Sequence, residues 1–77
     1  MFKIDSIEWN DGFTSLPQIR RDFPECKWIT IDNDGEVAVY REKPRWDSGW
    51  WINDDGWRTI ATCRIIEGRA KDTRRRL

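Results

Sequence analysis

Alternation of apolar and polar positions is clearest around an Asp-Gly pair near the middle of the chain. On either side of Asn33-Asp34-Gly35, the stretches "KWITID" and "EVAVYRE" place β-branched or aromatic residues at every second position. A period of two is typical of half-buried strands, and Asn, Asp and Gly tolerate the positive φ angles of tight turns. The pattern predicts a hairpin that pairs Lys27 to Asp32 with Glu36 to Glu42.

Two similar turns, Asn10-Asp11-Gly12 and Asn53-Asp54-Asp55-Gly56, mark further strand boundaries. The second of them predicts another hairpin, from about Gly49 to Asn53 and from Trp57 to Glu67. The stretch "FKIDSIEW" near the start predicts one more strand. Because Pro44 lacks a backbone donor and Gly49 is conformationally free, residues 43–49 are predicted to be a loop or an edge segment.

The stretch "TSLPQIRRDFPE" has helical spacing instead. Its apolar positions are Leu16, Ile19 and Phe23. Ser15 precedes them as an N-cap, Pro17 suits a first turn, and Pro24 ends the helix. Together these elements predict a single α+β domain over residues 1–68, with the order β-α-β-β-β-β. Its antiparallel sheet has four or five strands and carries one short helix.

Both faces of the predicted sheet are apolar, since successive side chains of a strand point to opposite sides. The aliphatic face lies under the helix and comprises Ile4, Ile29, Ile31, Val37, Val39 and Ile60. The other face carries Trp28, Ala38 and Tyr40. Trp50 and Trp51 are neighbours on one strand, so they are predicted to lie on opposite sides, one of them under the helix.

Two uses of the aromatic face remain open. In the first, residues 43–49 fold over it and bury Trp46 in a second cluster, because large aromatic residues extend a small core. In the second, the face is a protein-contact patch, because Trp, Tyr and Arg dominate interface hot spots. The candidate contact residues are Tyr40, Arg41, Arg45, Trp46, Trp50 and Trp57. A homodimer is the simplest form of such a contact.

Charge is distributed unevenly along the chain of 77 residues, although its net charge is zero. Residues 1–60 carry eight basic and twelve acidic side chains, whereas residues 61–77 carry six and two. The basic end, residues 69–77, is predicted to be a flexible tail. It supports an alternative function, a nucleic-acid-binding module that combines the aromatic face with phosphate contacts from Lys71, Arg74, Arg75 and Arg76. The acidic first sixty residues make nucleic acid a less favoured partner than protein.

Candidate chemistry is limited because the chain has no histidine, the commonest general base and zinc ligand. Two cysteines, Cys26 and Cys63, are too few for a structural zinc site. The Asp-rich turns place Gly as calcium loops do, but the first and twelfth ligands are missing. No apolar stretch resembles a signal peptide, so we expect free thiols and a cytoplasmic location. We expect no enzyme activity, cofactor, metal ion or membrane association.

The segment "KWITIDNDGEVAVYREKPRWDSGWWIN" follows the pattern W-I-x-I-D-x-D-G-x-V-x-x-Y-x-x-K-P and continues into a tryptophan-containing stretch. It resembles a loose set of small uncharacterised proteins encoded by bacteriophages and prophages. The resemblance covers about residues 27–53 and rests on Trp28, Asp32, Gly35, Tyr40, Lys43 and Pro44. It implies a cytoplasmic accessory protein that binds a host protein and inhibits or redirects it. No catalytic residue is implied.

Overall fold

The computed structural model describes residues 2–77, and its largest element is a five-stranded antiparallel sheet. The strands are β1 (Lys3–Trp9), β2 (Trp28–Ile31), β3 (Glu36–Tyr40), β4 (Arg45–Asp47), β5 (Trp50–Ile52), β6 (Arg58–Glu67) and β7 (Arg75–Arg76). The large sheet has the order β1-β6-β3-β2-β7, and β4 and β5 form a separate two-stranded sheet. The predicted combination of antiparallel sheet and one short α-helix is confirmed, whereas the predicted strand count is too low.

The β2–β3 hairpin follows the sequence prediction. Its register pairs Ile31 with Val37 and Trp28 with Tyr40. Gly35 closes the turn with a φ of +89°, a backbone conformation that favours glycine. The turn also contacts the neighbouring strand β6, because the amide of Cys63 donates to the carbonyl oxygen of Gly35 at 2.9 Å.

Helix α1 (Leu16–Asp22) begins and ends where its flanking residues predict. The hydroxyl of Ser15 accepts a hydrogen bond from the amide of Gln18 at 3.3 Å, which satisfies one of the free donors of the first turn. The helix packs Ile19, which has no exposed surface, against one face of the large sheet. The buried residues of this first cluster are Ile19, Ile31, Val37, Val39, Ile60 and Ala61.

The predicted second hairpin, which paired Gly49–Asn53 with Trp57–Glu67, is wrong. Strand β5 pairs instead with β4, which precedes it, while β6 pairs with β1 and β3. The reason is a two-residue turn: Ser48 and Gly49 both have positive φ angles, of 51° and 94°. Type I′ hairpin turns require positive φ at both central residues, so the chain folds back at once, and residues 45–47 of the predicted loop or edge segment form strand β4.

This β4–β5 hairpin covers the second face of the large sheet. Beneath it lies a second cluster, with Ala38, Tyr40 and Trp51 buried and Trp28 and Trp46 packed against them. Trp51 is 6% exposed and Trp50 is 51% exposed, which confirms that the two lie on opposite sides. The placement of one of them under α1 is wrong, because the buried member contacts the face away from the helix.

The carboxyl-terminal segment differs from the flexible tail that its composition indicated. Residues 70–72 form a 3-10 helix, and β7 pairs with the outer edge of β2. Thr73 joins the two parts: its buried hydroxyl accepts from the amide of Ile31 at 2.8 Å and lies 2.7 Å from the carbonyl oxygen of Ala70. The segment pairs with an otherwise unprotected strand edge and buries Ala70 and Thr73. These contacts outweigh the tendency of its polar residues to remain in solvent.

Candidate functional site

Three cationic side chains surround the indole of Trp28 on the face that the β4–β5 hairpin covers. The charged ends of Lys43, Arg74 and Arg76 lie 5.5, 5.9 and 5.0 Å from its ring centroid. These are cation–π distances, at which the electron-rich ring face attracts a positive charge. Three parts of the chain therefore bring positive charge to one half-buried tryptophan: the β3–β4 connection, the segment after the 3-10 helix, and β7.

Arg74 links this cluster to a neighbouring cavity of about 430 Å³. Its guanidinium lies 5.7 Å from the ring of Trp51 and donates to the carbonyl oxygen of Pro44 at 3.0 Å. The cavity is lined by Arg45, Trp46, Trp51, Lys71, Asp72, Arg74 and Arg75. Trp46 meets Trp51 edge to face at 5.2 Å, which fixes the half-buried indole in the cavity wall.

We call this surface the basic face, and define it by its six cations and three indoles. They are Lys43, Arg45, Lys71, Arg74, Arg75 and Arg76, with Trp28, Trp46 and Trp51. Sequence reasoning had placed Arg45 and Trp46 in a protein-contact patch and Arg74 in a separate tail. Trp28 and Lys43 were not among the predicted site residues, although Trp28 was assigned to the aromatic face and Lys43 lies in the predicted connection beside it.

None of the six cations forms an ion pair with an acidic side chain among residues 2–77. Five of the eight other cations do, among them Lys3 with Glu67 and Arg64 with Asp5. Within the cavity the single carboxylate, Asp72, lies 3.6 Å from Arg69, which is not one of the six. The basic face therefore concentrates uncompensated positive charge in a molecule whose net charge is zero.

The predicted protein-contact residues do not form one patch. Tyr40 is 1% exposed, and its hydroxyl accepts a hydrogen bond from that of Thr30 at 3.1 Å. Burial raises the pKa of Tyr40. Trp50 projects from the outer side of the β4–β5 hairpin. Arg45 and Trp46 belong to the basic face.

Trp57 and Arg41 share a different cleft, of about 250 Å³, with Cys26 and Asp55 in its wall. Arg41 donates to both carboxylate oxygens of Asp55, at 2.7 and 2.6 Å. This fork-shaped contact lowers the pKa of Asp55. Burial raises the pKa of the Cys26 thiol, which opposes formation of a reactive thiolate. Trp57 is 63% exposed at this cleft.

One acidic cluster lies at the β2–β3 turn, where oxygens of Asp32, Asp34 and Glu36 lie within 4.8 Å of one another. Two of these carboxylates serve the fold. Asp32 accepts from the backbone amide of Trp51 at 3.0 Å, and Asp34 accepts from the amide of Glu36 at 3.0 Å. Burial raises the pKa of Asp32. These hydrogen bonds account for the cluster, because they stabilise the β2–β3 turn and attach the β4–β5 hairpin to it.

No protein-family model, curated protein or solved structure matches this chain. Within residues 2–77, none of the helices is both long enough and apolar enough to cross a bilayer. The basic face and the two cavities described above are therefore the features on which a function can be argued.

Proposed function

We propose that this domain is a non-enzymatic binding module that takes single-stranded nucleic acid on its basic face. The observation that carries the proposal is that three cations lie over Trp28 or Trp51, while three more line the adjacent cavity with Trp46 and Trp51. Phosphates attract lysine and arginine, and bases stack on indoles or on guanidinium planes. The sequence suggested that the aromatic face and the arginine-rich end could act together, and the contacts of Lys43, Arg74 and Arg76 with Trp28 support this combination.

The zero net charge does not oppose this function, because electrostatic attraction is local at physiological ionic strength. The Debye length is about 8 Å at 0.15 M salt, whereas the domain extends 29 × 28 × 19 Å. Carboxylates on distant parts of the surface are therefore screened from a phosphate bound at the basic face. The ion pairs of Asp5, Asp55 and Glu67 also partly neutralise the acidic body.

Salt dependence gives a quantitative test. About four phosphate contacts predict a log-log slope near −3 for a single strand, so affinity should fall about 50-fold between about 50 and about 200 mM salt. The double variant Arg45→Gln/Lys71→Gln removes two cations that are exposed and make no hydrogen bond among residues 2–77. We expect its slope to fall to about −1.5. Fluorescence anisotropy with a labelled oligothymidylate of about 20 nucleotides measures both quantities.

The matched control is Lys3→Gln/Arg21→Gln, which makes the same change of net charge. Lys3 lies 3.6 Å from Glu67 and Arg21 lies 3.7 Å from Asp22, and neither belongs to the basic face. This control should keep the slope of the unaltered protein. Equal weakening by both double variants, or no saturable binding at the lowest salt, would disprove the proposed function.

A second candidate function is capture of a protein partner, and the exposure of Trp57 favours it. An indole that is 63% exposed beside the fixed Arg41–Asp55 pair combines the residue types that dominate interface hot spots. Under the bacteriophage resemblance, that partner is a host protein in the bacterial cytoplasm. The contact would use the cleft of Trp57 and leave the basic face free.

Replacing Trp57 with alanine tests this candidate. Because the side chain is exposed, we expect the free energy of unfolding to change by no more than about 0.5 kcal/mol. A partner bound through Trp57 should lose affinity by about 2 kcal/mol or more. Affinity capture from host lysate with the Trp57→Ala and Trp50→Ala proteins in parallel measures the effect, since Trp50 is a comparably exposed control. If both variants retain the partner equally, the cleft of Trp57 is excluded as its binding site.

A further inference from the structure

On the helix side of the large sheet lies an apolar cavity of about 420 Å³, which shares Arg75 and Arg76 with the basic face. Strand β1, helix α1, strands β2 and β3, and the chain end contribute to its wall. The side chains that matter most are Ile7, Trp9, Leu16, Ile29 and Leu77. Ile7 is 47% exposed and forms part of this wall.

The cavity is open because α1 is too small to cover the sheet. A seven-residue helix is about 10 Å long and about 10 Å wide, whereas five strands span about 19 Å from edge to edge. Cavities of about 300–1,000 Å³ with mainly apolar walls are typical of sites for small molecules. The space is therefore suited to a ligand that brings an apolar body.

The charged side chains around this cavity indicate which polar group the ligand carries at the end of its apolar body. The charged side chains in its wall are those of Arg20, Arg75 and Arg76, the last with its guanidinium over Trp28, and the wall residues described include no Asp or Glu. The guanidinium of Arg20 makes no hydrogen bond or ion pair among residues 2–77, so its donors are available to a ligand. Arg75 lies 5.1 Å above the ring of Phe2, which places its charge beside the apolar wall.

We propose that this cavity binds a free single-chain fatty acid. The alkyl chain lies against the apolar wall, and the carboxylate accepts hydrogen bonds from Arg20, with Arg75 adding positive charge. A guanidinium binds a carboxylate through two parallel hydrogen bonds, so the site distinguishes this head group from a neutral or cationic one. This proposal does not rest on nucleic-acid binding, because Arg20 and the apolar wall lie outside the basic face, although Arg75 and Arg76 contribute to both.

Titration calorimetry with octanoate, decanoate and dodecanoate below their micelle concentrations tests the proposal. We expect one ligand per chain and an affinity that rises about fourfold per added methylene. Dodecyltrimethylammonium, with the same chain and opposite charge, should bind at least about tenfold more weakly than dodecanoate. Equal binding of the two amphiphiles, or no saturable binding of dodecanoate, would overturn the proposal.

Two matched pairs of variants locate the site. Arg20→Gln should lower the preference for dodecanoate about tenfold, whereas Arg21→Gln, on the same helix but outside the cavity, should not. Ile7→Glu places a carboxylate in the cavity wall and should weaken dodecanoate binding, whereas Ile66→Glu, at a residue 53% exposed elsewhere, should not. All four positions are exposed, and circular dichroism confirms that each variant folds.

The state of association decides between the fatty acid and a second copy of the chain as occupant. Light scattering should give the monomer mass at the concentrations used for titration. A dimer that Ile7→Glu dissociates and Ile66→Glu does not would assign the cavity to self-association and overturn the proposal.

Discussion

Replacing Gly35 with alanine is expected to destabilise the domain by about 2–5 kcal/mol, a large part of the stability of a domain of this size. Two effects contribute. An L-residue at a φ of +89° costs about 1–2 kcal/mol, and a Cβ atom at this position would overlap the carbonyl oxygen of Cys63 in β6. Overpacking of this kind costs about 1–3 kcal/mol more, because the obstructing atom belongs to backbone. Urea unfolding followed by tryptophan fluorescence measures the loss.

Gly12→Ala is the matched control for this substitution. Gly12 has the same φ of +89°, but a Cβ atom there would meet nothing within 4 Å. We therefore expect Gly12→Ala to lower the free energy of unfolding only by the cost of the positive φ angle, about 1–2 kcal/mol. The difference between the two variants isolates the contact of the β2–β3 turn with β6. Equal destabilisation would show that this contact contributes nothing.

The contrast between these two glycines also shows which features a sequence can predict. All of the local structure around the β2–β3 turn follows from neighbouring residues, because Asp34-Gly35 and the alternation beside it determine the turn and the register. Helix α1 is equally local, since Ser15 and Pro24 mark its ends. The approach of Cys63 to Gly35 joins residues far apart in the chain, and no local pattern indicates it.

The β4–β5 hairpin was within reach of sequence reasoning. Ser48-Gly49 is a turn dipeptide, and it separates two short stretches that each contain tryptophan. The longer Asn53–Gly56 turn predicts instead that β5 pairs with the segment after it, because that segment has stronger β-forming residues. A three-residue strand carries too little periodicity to determine its partner.

The carboxyl-terminal segment was beyond such reasoning, and with it the basic face. Its position depends on Thr73, which bonds to Ile31 across 42 positions of sequence. Composition correctly identified Lys71, Arg74, Arg75 and Arg76 as a concentration of charge. It could not show that this charge lies against Trp28 and Trp51, because β7 has only two residues and no recognisable strand pattern.

Trp51→Ala is expected to cost about 3–5 kcal/mol, because it empties the centre of the second cluster. The lost side chain is 6% exposed and meets Trp46 edge to face. Its indole also donates to the carbonyl oxygen of Ala70 at 3.1 Å, which attaches the 3-10 helix to the hairpin. The loss should therefore be measured both as global stability, by urea unfolding, and as hydrogen exchange of the amides of residues 70–76.

Trp50→Ala makes the same chemical change one position earlier and provides the control. Its side chain is 51% exposed, so stability should change by no more than about 0.5 kcal/mol. The pair also tests how the basic face is built, since Arg74 lies over Trp51 and is held by the same segment. At a temperature where both variants remain folded, Trp51→Ala should weaken oligothymidylate binding and Trp50→Ala should not. If both variants bind oligothymidylate as tightly as the unaltered protein does, the cations act as an unstructured tail would. Binding would then not depend on the fold that brings them together.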